Sequence, residues 1–427
     1  MKIPSVLSNS ADYLGTIESS GFTNETLTGN SIREAFFNPI WPDGSRQTIF
    51  DIIRPGGSVC VVVSDHTRQT ATSTILPFIL EGLIAKGCSL KDIFFLIASG
   101  IHRPPNTAET QKILGQSIFN QFEGRIFRHN ADDEANLVYV GTTKRGHNVR
   151  VNRQAIEADR LILVGTVGYH YHAGFGGGRK SLVPGLASRD TIAYNHSLTL
   201  DPVQDRIHPM VDPGILDGNP VAEEMLEGAR MCNPDIIINT VLTPSGKLAG
   251  VFSGELDLAH RAACRMAERV SRVDINRPAD LVIASAGSAL NWIQSHKALV
   301  NAHRAVKENG LIILIAPCPE GLGDERFRYW VKKNDIAEIY SELRRSAEVL
   351  GQTALSSKTR GRNAILMTEM NSMDISDLGI RTAPDLESAV KTAMDDLKQN
   401  NTEKPSYFLM PEARHSVPFL PGTDKIS

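Results

Sequence analysis

The run Ser58-Val59-Cys60-Val61-Val62-Val63 constrains this chain more than any other stretch. It follows Gly56-Gly57 and is rich in β-branched residues, so it reads as a buried strand. It ends in the polar segment Ser64-Asp65-His66-Thr67-Arg68, after which Thr70 to Lys86 carries apolar residues at helical spacing and stops at Gly87. The same order returns at once: Ile93 to Ala98 is a strand, 99–105 a polar loop, and Thr107 to Leu114 a short helix closed by Gly115. Strand, loop and helix in succession predict parallel pairing through right-handed crossovers. In such sheets the loops after the carboxyl ends of the strands form the binding crevice.

A further apolar strand, Leu161 to Gly165, runs into GYHYHAGFGGGRKSLVPGLASRDTIAYNH at 168–196. Three strand ends thus deliver Asp65, His66 and Arg68, then His102 and Arg103, then His170, Lys180 and His196 toward one crevice. Past a loop-rich stretch at 199–225, Pro220 to Arg230 reads as a helix, Ile236 to Leu242 as a strand and Leu256 to Val270 as a helix. The segment from Asp274 to Asp280, with Pro278, marks a boundary. Beyond it come strand Leu281–Ser285, helix Ser295–Glu308, strand Leu311–Ala316, a long helical stretch from Glu325 to Val349, strand Ala364–Met367, helix Leu386–Gln399 and strand Tyr407–Met410. The expected architecture is α/β with two domains, residues 1–273 and 274–427. Each has a mostly parallel sheet flanked by helices, with the active site in the cleft between them. Residues 1–50 carry no functional reading.

A chain of 427 residues exceeds one ordinary core, in keeping with two domains. With 41% hydrophobic and 22% charged residues it belongs to the globular class. A net charge of -3 supplies no basic field for nucleic acid. The opening MKIPSVLSNSADYLG lacks a signal peptide's apolar core, and no later stretch approaches the roughly 18 apolar residues of a membrane span, so a cytoplasmic address without membrane partners is expected. The five cysteines are scattered, without CxxC spacing, and read as buried small hydrophobes.

Gly174-Phe175-Gly176-Gly177-Gly178-Arg179-Lys180-Ser181 has the composition of a phosphate loop, since consecutive glycines let amide N–H groups converge on an anion. The P-loop pattern requires Gly directly before Lys, and here Arg179 intervenes; the GxGxxG spacing also fails. The competing reading is a glycine turn needed only for close backbone packing. His129, His147, His208, His260, His303 and His415 read as ordinary solvated or hydrogen-bonded residues. His102, His170 and His196 differ in facing one crevice, where imidazole suits both proton transfer and metal ligation. There is no HExxH, but an extended His170-Tyr171-His172 would turn two imidazoles to one side as a metal pair. In the second domain, 287–297 follows a strand and opens a helix on which Gln294 and Lys297 share a face. That is a place for carboxylate or phosphate capture, or merely a solvated first turn. Spacing alone leaves open a phosphate loop, a zinc pair and a nucleophilic lysine.

Taken together, SDHTR at 64–68, GIHRP at 100–104, GYHYHAGFGGGRKSLVPG at 168–185, Asn195-His196 and QSHKA at 294–298 resemble the lactate racemase family of nickel-dependent enzymes. The resemblance runs in order from about residue 55 to 300. It implies a nickel-pincer nucleotide, a pyridinium-3,5-bisthiocarboxylic acid mononucleotide holding nickel, tethered covalently at the lysine matched by Lys180. It further implies His196 as the nickel ligand, His102 and His170 as acid and base, and Gly176, Gly177, Gly178 and Asp65 as cofactor contacts. Arg68, Gln294 and Lys297 are implied as substrate contacts. The implied reaction inverts C2 of a 2-hydroxy acid by hydride transfer, and the implied partners include the proteins that build the cofactor.

The chain departs from the family pattern at Gln69, where a proline is common, at Ala289 and Asn291, which replace a proline and an acid, and at Ile293, which replaces a residue that can be aromatic. These positions lead to the expectation of a larger or more polar 2-hydroxy acid than lactate, such as an aldonate or a dicarboxylate. The rival expectations are a metal-dependent hydrolase or lyase using His170 and His172, and a non-catalytic homologue that keeps the nucleotide site.

Overall fold

The computed structural model describes residues 7, 10–19 and 27–422. The described residues divide into two compact units, one formed by 27–270 and the other by 7, 10–19 and 271–422.

The first unit is built on a six-stranded sheet in the order Leu248–Gly254, Ile236–Leu242, Arg160–Val167, Val59–Ser64, Ile93–Ala98 and Ile126–Arg128. All neighbours are parallel except the edge pair Ile236–Leu242 and Leu248–Gly254. The alternation of side chains explains why the run at 59–63 is apolar throughout. Val59, Val61 and Val63 enter one core layer with Ile75, Ile79 and Leu83 of the helix Thr72–Ala85. Cys60 and Val62 enter the opposite layer with Val183, Val221 and Met225. Each such apolar side chain contributes roughly 1.5–3 kcal/mol on burial. Strand order reverses between Val59–Ser64 and Arg160–Val167, so the crevice of this sheet opens where Asp65 and Gly168 leave those two strands.

The second unit also carries a six-stranded sheet, ordered Asp12–Thr16, Ser406–Met410, Ala279–Ser285, Val306–Ile315, Ala364–Met367 and Arg381–Thr382, with every pair parallel. The strand Asp12–Thr16 had no counterpart in the sequence reading, and it pairs here instead of joining the sheet of the residues that follow it. The stretch read as one helix from Glu325 to Val349 is broken into Glu325–Val331, Ile336–Arg345 and Val349–Gly361. Asp324 and Asp335 cap the first two through backbone N–H groups, so the polar residues that interrupt the apolar period are helix starts. The helix expected to reach Glu308 stops at His303, and 306–308 open the next strand. All five cysteines are buried and free. Among the described residues no helix is long and apolar enough to cross a membrane.

Candidate active site

Asp65 sits at the carboxyl end of Val59–Ser64, and both of its oxygens are used within the chain. Oδ1 accepts from the Thr67 hydroxyl at 2.6 Å and the Thr67 amide at 3.1 Å. Oδ2 lies 2.7 Å from His102 Nδ1. Burial alone would raise this carboxyl, but the hydrogen bond and charge of His102, the Thr67 hydroxyl and the charge of Arg68 outweigh it and hold it below the ordinary carboxylate value. An ionised Asp65 requires the proton on His102 Nδ1, which leaves the lone pair on Nε2. The His102 ring is partly exposed while Asp65 is 2% exposed, so a fixed anion aims a solvent-facing base. Arg103, delivered by the same loop, is engaged by Glu109, which also completes the capping box of the helix Thr107–Leu114.

The glycine loop follows Arg160–Val167. Tyr169–His170 and Gly174–Phe175 pair as a two-residue ribbon, and a turn carries 171–173 between them. The extended His170-Tyr171-His172 expected from sequence is therefore absent: the two imidazole centroids lie 6.0 Å apart at 61°, and His172 is buried. His170 Nδ1 accepts the backbone N–H groups of His172 and Ala173, both at 3.1 Å. Its Nε2 lies 2.7 Å from Lys180 Nζ. Among the described residues no three of His, Cys, Asp and Glu are grouped as a metal site.

Gly177 and Gly178 owe their identity to packing. A Cβ at Gly177, whose φ is +119°, would meet Val167 Cγ2 at 2.6 Å and His260 Cδ2 at 2.8 Å. A Cβ at Gly178 would meet Ile237 Cγ1 at 2.6 Å. The amide of Gly178 already donates to Asn239 Oδ1 at 2.8 Å, and that of Gly176 to the Gly168 carbonyl at 2.9 Å. Two of the three amides expected to approach a phosphate are thus engaged inside the chain. The loop is pressed onto the sheet, and this seats Lys180. His260, fully buried on the helix Leu258–Ser271, braces it with Nε2 2.6 Å from the Gly176 carbonyl. Gly178→Ala is expected to destabilise the fold by about 1–3 kcal/mol through overpacking, read as a lowered midpoint in thermal or urea melts.

His196 occupies the last turn of the helix Arg189–Ser197, an element that the Pro-Gly break at 184–185 hid from the sequence reading. It is 7% exposed, and its Nδ1 lies 2.6 Å from the Ile192 carbonyl. Donation to that carbonyl fixes Nδ1–H and leaves Nε2 with the lone pair, the state a metal ligand requires. Burial, with the positive charges of Lys180, His102 and Arg68, pushes its pKa down to about 4 against the Ile192 hydrogen bond. Arg68, His102, Lys180 and His196 therefore gather in one electropositive region of the first unit, as the three strand ends predicted.

Arg179 is a residue to which the sequence reading gave no role. It is 2% exposed, with Nη2 buried and without a hydrogen-bond partner among the described residues. Burial lowers its pKa, and the compensating charges of Asp257 and Asp217 act from a distance. Its signal was the interruption of the P-loop pattern.

In the second unit Asn291 caps the helix Trp292–His303, its Oδ1 accepting from Gln294 N at 3.1 Å. An acid at this position would cap equally well, so the exchange preserves the helix start. Gln294 and Lys297 are exposed on one face, and Gln294 Oε1 accepts from Leu290 N at 3.1 Å. His296, between them in sequence, is buried with Nε2 2.9 Å from Ser356 Oγ.

Comparison with known proteins gives the family. The lactate racemase N-terminal domain model matches residues 4–207 and the lactate racemase C-terminal domain model residues 275–405. The chain is 29% identical over 378 residues to a lactate racemase of Thermoanaerobacterium thermosaccharolyticum, covering 85% of this chain and 84% of that protein. It is 32% identical over 325 residues to a lactate racemase of Lactiplantibacillus plantarum, covering 74% and 73%. Among solved structures, the lactate racemase apoprotein from T. thermosaccharolyticum superposes with a TM-score of 0.84 at 27% identity, covering 98% of this chain and 97% of that one. A Thermotoga maritima protein shares the fold, with a TM-score of 0.66 at 17% identity and coverage of 93% and 99%. The charged strand ends, the seated lysine and the matches along both units lead to one statement: the chain belongs to the lactate racemase family.

Proposed function

We propose that this protein is an isomerase that inverts C2 of a 2-hydroxy acid, using a nickel-pincer nucleotide tethered at Lys180. The observation that carries the reading is the pair of oppositely prepared histidines: His102 with a lone pair on Nε2, set by Asp65, and His170 with its Nδ1 filled by two backbone amides. Inversion through a planar keto group needs one group that takes the hydroxyl proton and another that serves the opposite face, so a single histidine cannot suffice. The residues present also fit the cofactor. His196 presents a neutral imidazole with Nε2 as its lone-pair atom, Lys180 offers an amine, and the unpartnered buried Nη2 of Arg179 suits an anionic nucleotide. When bound, the cofactor would supply hydride acceptance and return, chemistry that no side chain provides.

The chain's own residues do the rest. His102 takes the hydroxyl proton of one enantiomer through Nε2, and His170 serves the other. Arg68 holds the substrate carboxylate as a charge-assisted partner, and Gln294 and Lys297 are proposed as further substrate contacts. Asp65, first read as a cofactor contact, acts through His102 as a positioning residue because both its oxygens are engaged in the chain. Asp65→Asn presents an amide donor or a weaker acceptor to Nδ1 and disturbs the tautomer. Turnover is expected to fall about 10²–10⁴-fold with KM nearly unchanged, and the acidic limb of the pH profile, which reports protonation of His102 Nε2, should move to lower pH. An effect confined to KM would remove the positioning role.

Ala289 is buried and Ile293 half-buried next to Gln294 in sequence, and Gln69 lies with its Nε2 over Gly246. The exchanges at these positions from the family pattern are the ground for a substrate larger or more polar than lactate. The test is a panel of chiral 2-hydroxy acids incubated with cofactor-loaded protein, read by stereochemistry at C2. Inversion of aldonates or hydroxy dicarboxylates ahead of lactate is expected; lactate as the best substrate would overturn the specificity reading, and no inversion of any member would overturn the function.

A further inference from the structure

Strand order in the second unit reverses between Ala279–Ser285 and Ser406–Met410, so the carboxyl ends of these two parallel strands mark the crevice of this sheet. The first strand leads toward the helix Trp292–His303, and the second into a turn at 411–415. Two hydrogen bonds fasten that turn: Ala413 N donates to the Ser285 carbonyl at 3.1 Å, and Asn301 Nδ2 to the Ala413 carbonyl at 2.7 Å. Gln294, Lys297 and Asn301 follow one another at helical spacing, so the turn rests against the face that carries the first two. Its polar atoms are not spent within the chain. Arg414 Nε and Ser416 Oγ are buried and, among the described residues, without a hydrogen-bond partner. Ser416 is fully buried and Arg414 half-buried, while Glu412 of the same turn is exposed. Burial lowers the Arg414 pKa, with no carboxylate among the described residues acting against it. His415 is pushed down to about 4 by burial and then by the charges of Arg414 and Lys297, so a neutral imidazole stands among two cations. Unspent buried donors beside gathered positive charge match one kind of ligand, an anion with several acceptor atoms.

We propose that Arg414 and Ser416, with Lys297 and His415 beside them, form a subsite for a distal carboxylate, and that the protein acts on hydroxy dicarboxylates in preference to aldonates. The choice of substrate rests on the reaction proposed above; the binding of the carboxylate does not. Every 2-hydroxy acid carries one carboxylate beside the reacting carbon, and a second, distal one is what separates a dicarboxylate from an aldonate. A carboxylate has two oxygens, so one can accept from the Arg414 guanidinium while the other accepts from the Ser416 hydroxyl. The hydroxyl groups of an aldonate tail can accept from the same donors but bring no charge. Hydrogen bonds between charged groups are roughly twice as strong as neutral ones, and here the positive charge of Arg414 and Lys297 decides in favour of the carboxylate. Arginine also suits the role better than lysine, because its planar fork matches the two oxygens and stays charged when partly buried. The fastening of Ala413 to Ser285 and Asn301 holds the backbone on which Arg414 is carried, so the guanidinium is positioned before any ligand arrives.

Calorimetric titration of the full-length, cofactor-free protein tests the subsite without the reaction. Succinate and glutarate are compared with butyrate and valerate, which have the same chain lengths and one carboxylate. Each dicarboxylate is expected to bind about tenfold or more tightly than its monocarboxylate counterpart, as one charge-assisted contact corresponds to. Arg414→Met should remove that preference, and Arg414→Lys should keep part of it. A guanidinium without a partner does not hold the fold, so the thermal midpoint of Arg414→Met is expected to stay or to rise; a lowered midpoint would assign Arg414 to the fold instead. Equal binding of the two classes by the wild type overturns the proposal, as does a preference that survives Arg414→Met. In the cofactor-loaded protein, hydroxy dicarboxylates should be inverted ahead of aldonates, and Arg414→Met should raise their KM more than it lowers kcat. Aldonates inverted ahead of dicarboxylates would overturn the proposal and leave the reaction standing. Arg414-dependent binding of succinate without inversion of any hydroxy acid would leave the subsite standing and remove the reaction.

Discussion

His102→Ala and His170→Ala are each expected to lower racemisation about 10³–10⁴-fold, near the upper range for loss of a positioned acid or base. Because the equilibrium constant of racemisation is one, kcat/KM must fall equally in both directions for each variant. The two should separate in single turnover. In His170→Ala only the enantiomer whose hydroxyl faces His102 can lose its proton, so that variant should convert one enantiomer to the keto acid in an amount not exceeding the enzyme, whereas His102→Ala, left with a histidine that enters as a donor, should convert neither. Quenched-flow with chiral chromatography reads this directly. Conversion of both enantiomers by His170→Ala would mean that the histidines do not serve opposite faces. The structural basis is the contrast already drawn: Asp65 leaves His102 Nε2 as an acceptor, while the amides of His172 and Ala173 make His170 Nε2 a donor in the cofactor-free chain.

His196→Ala is the second large effect. Its imidazole is held neutral by burial and neighbouring cations, with its lone pair on Nε2 because Nδ1–H is given to the Ile192 carbonyl. A ligand already neutral loses no proton on meeting a metal, so binding at this position should vary little with pH above about 5. The folded-state pKa lies below the usual histidine value, so acid favours the unfolded chain. This contribution to stability is intact at neutral pH and is lost as pH falls from about 6.5 toward 4. The variant is expected to lose turnover to background and most of its nickel by elemental analysis, yet to keep the mass adduct on Lys180. Nickel retained at wild-type level would assign the ligand elsewhere.

Much of the sheet was legible because apolar β-branched runs state their own burial. The strands Ile236–Leu242 and Ala364–Met367 and the helices Thr107–Leu114 and Leu386–Gln399 have the bounds their patterns predict. Asp12–Thr16 was not legible, since three of its five residues are polar or glycine, its burial is partial, and its partner lies almost 400 positions away in sequence. The turn at 171–173 was missed because an alternating His-Tyr-His reads as a strand until the backbone amides are seen to fold onto Nδ1. For the site, residue types and strand ends placed Arg68, His102, Lys180 and His196 correctly in one region. What sequence could not convey was the use of each polar atom. Asp65 is spent on His102 and Thr67, the Gly178 amide on Asn239, and Arg103 on Glu109. Motif matching identifies residues that share a site, whereas hydrogen-bond accounting decides which of them remain available to a ligand.

The proposed activity depends on attachment of the proposed cofactor at Lys180. The most direct measurement is the intact mass of the protein produced together with the cofactor-building enzymes, compared with Lys180→Ala made the same way. A single covalent adduct is expected on the wild type, mapped by peptide mass to Lys180 and missing from the variant. A wild type without an adduct, or an adduct that survives Lys180→Ala, would contradict it.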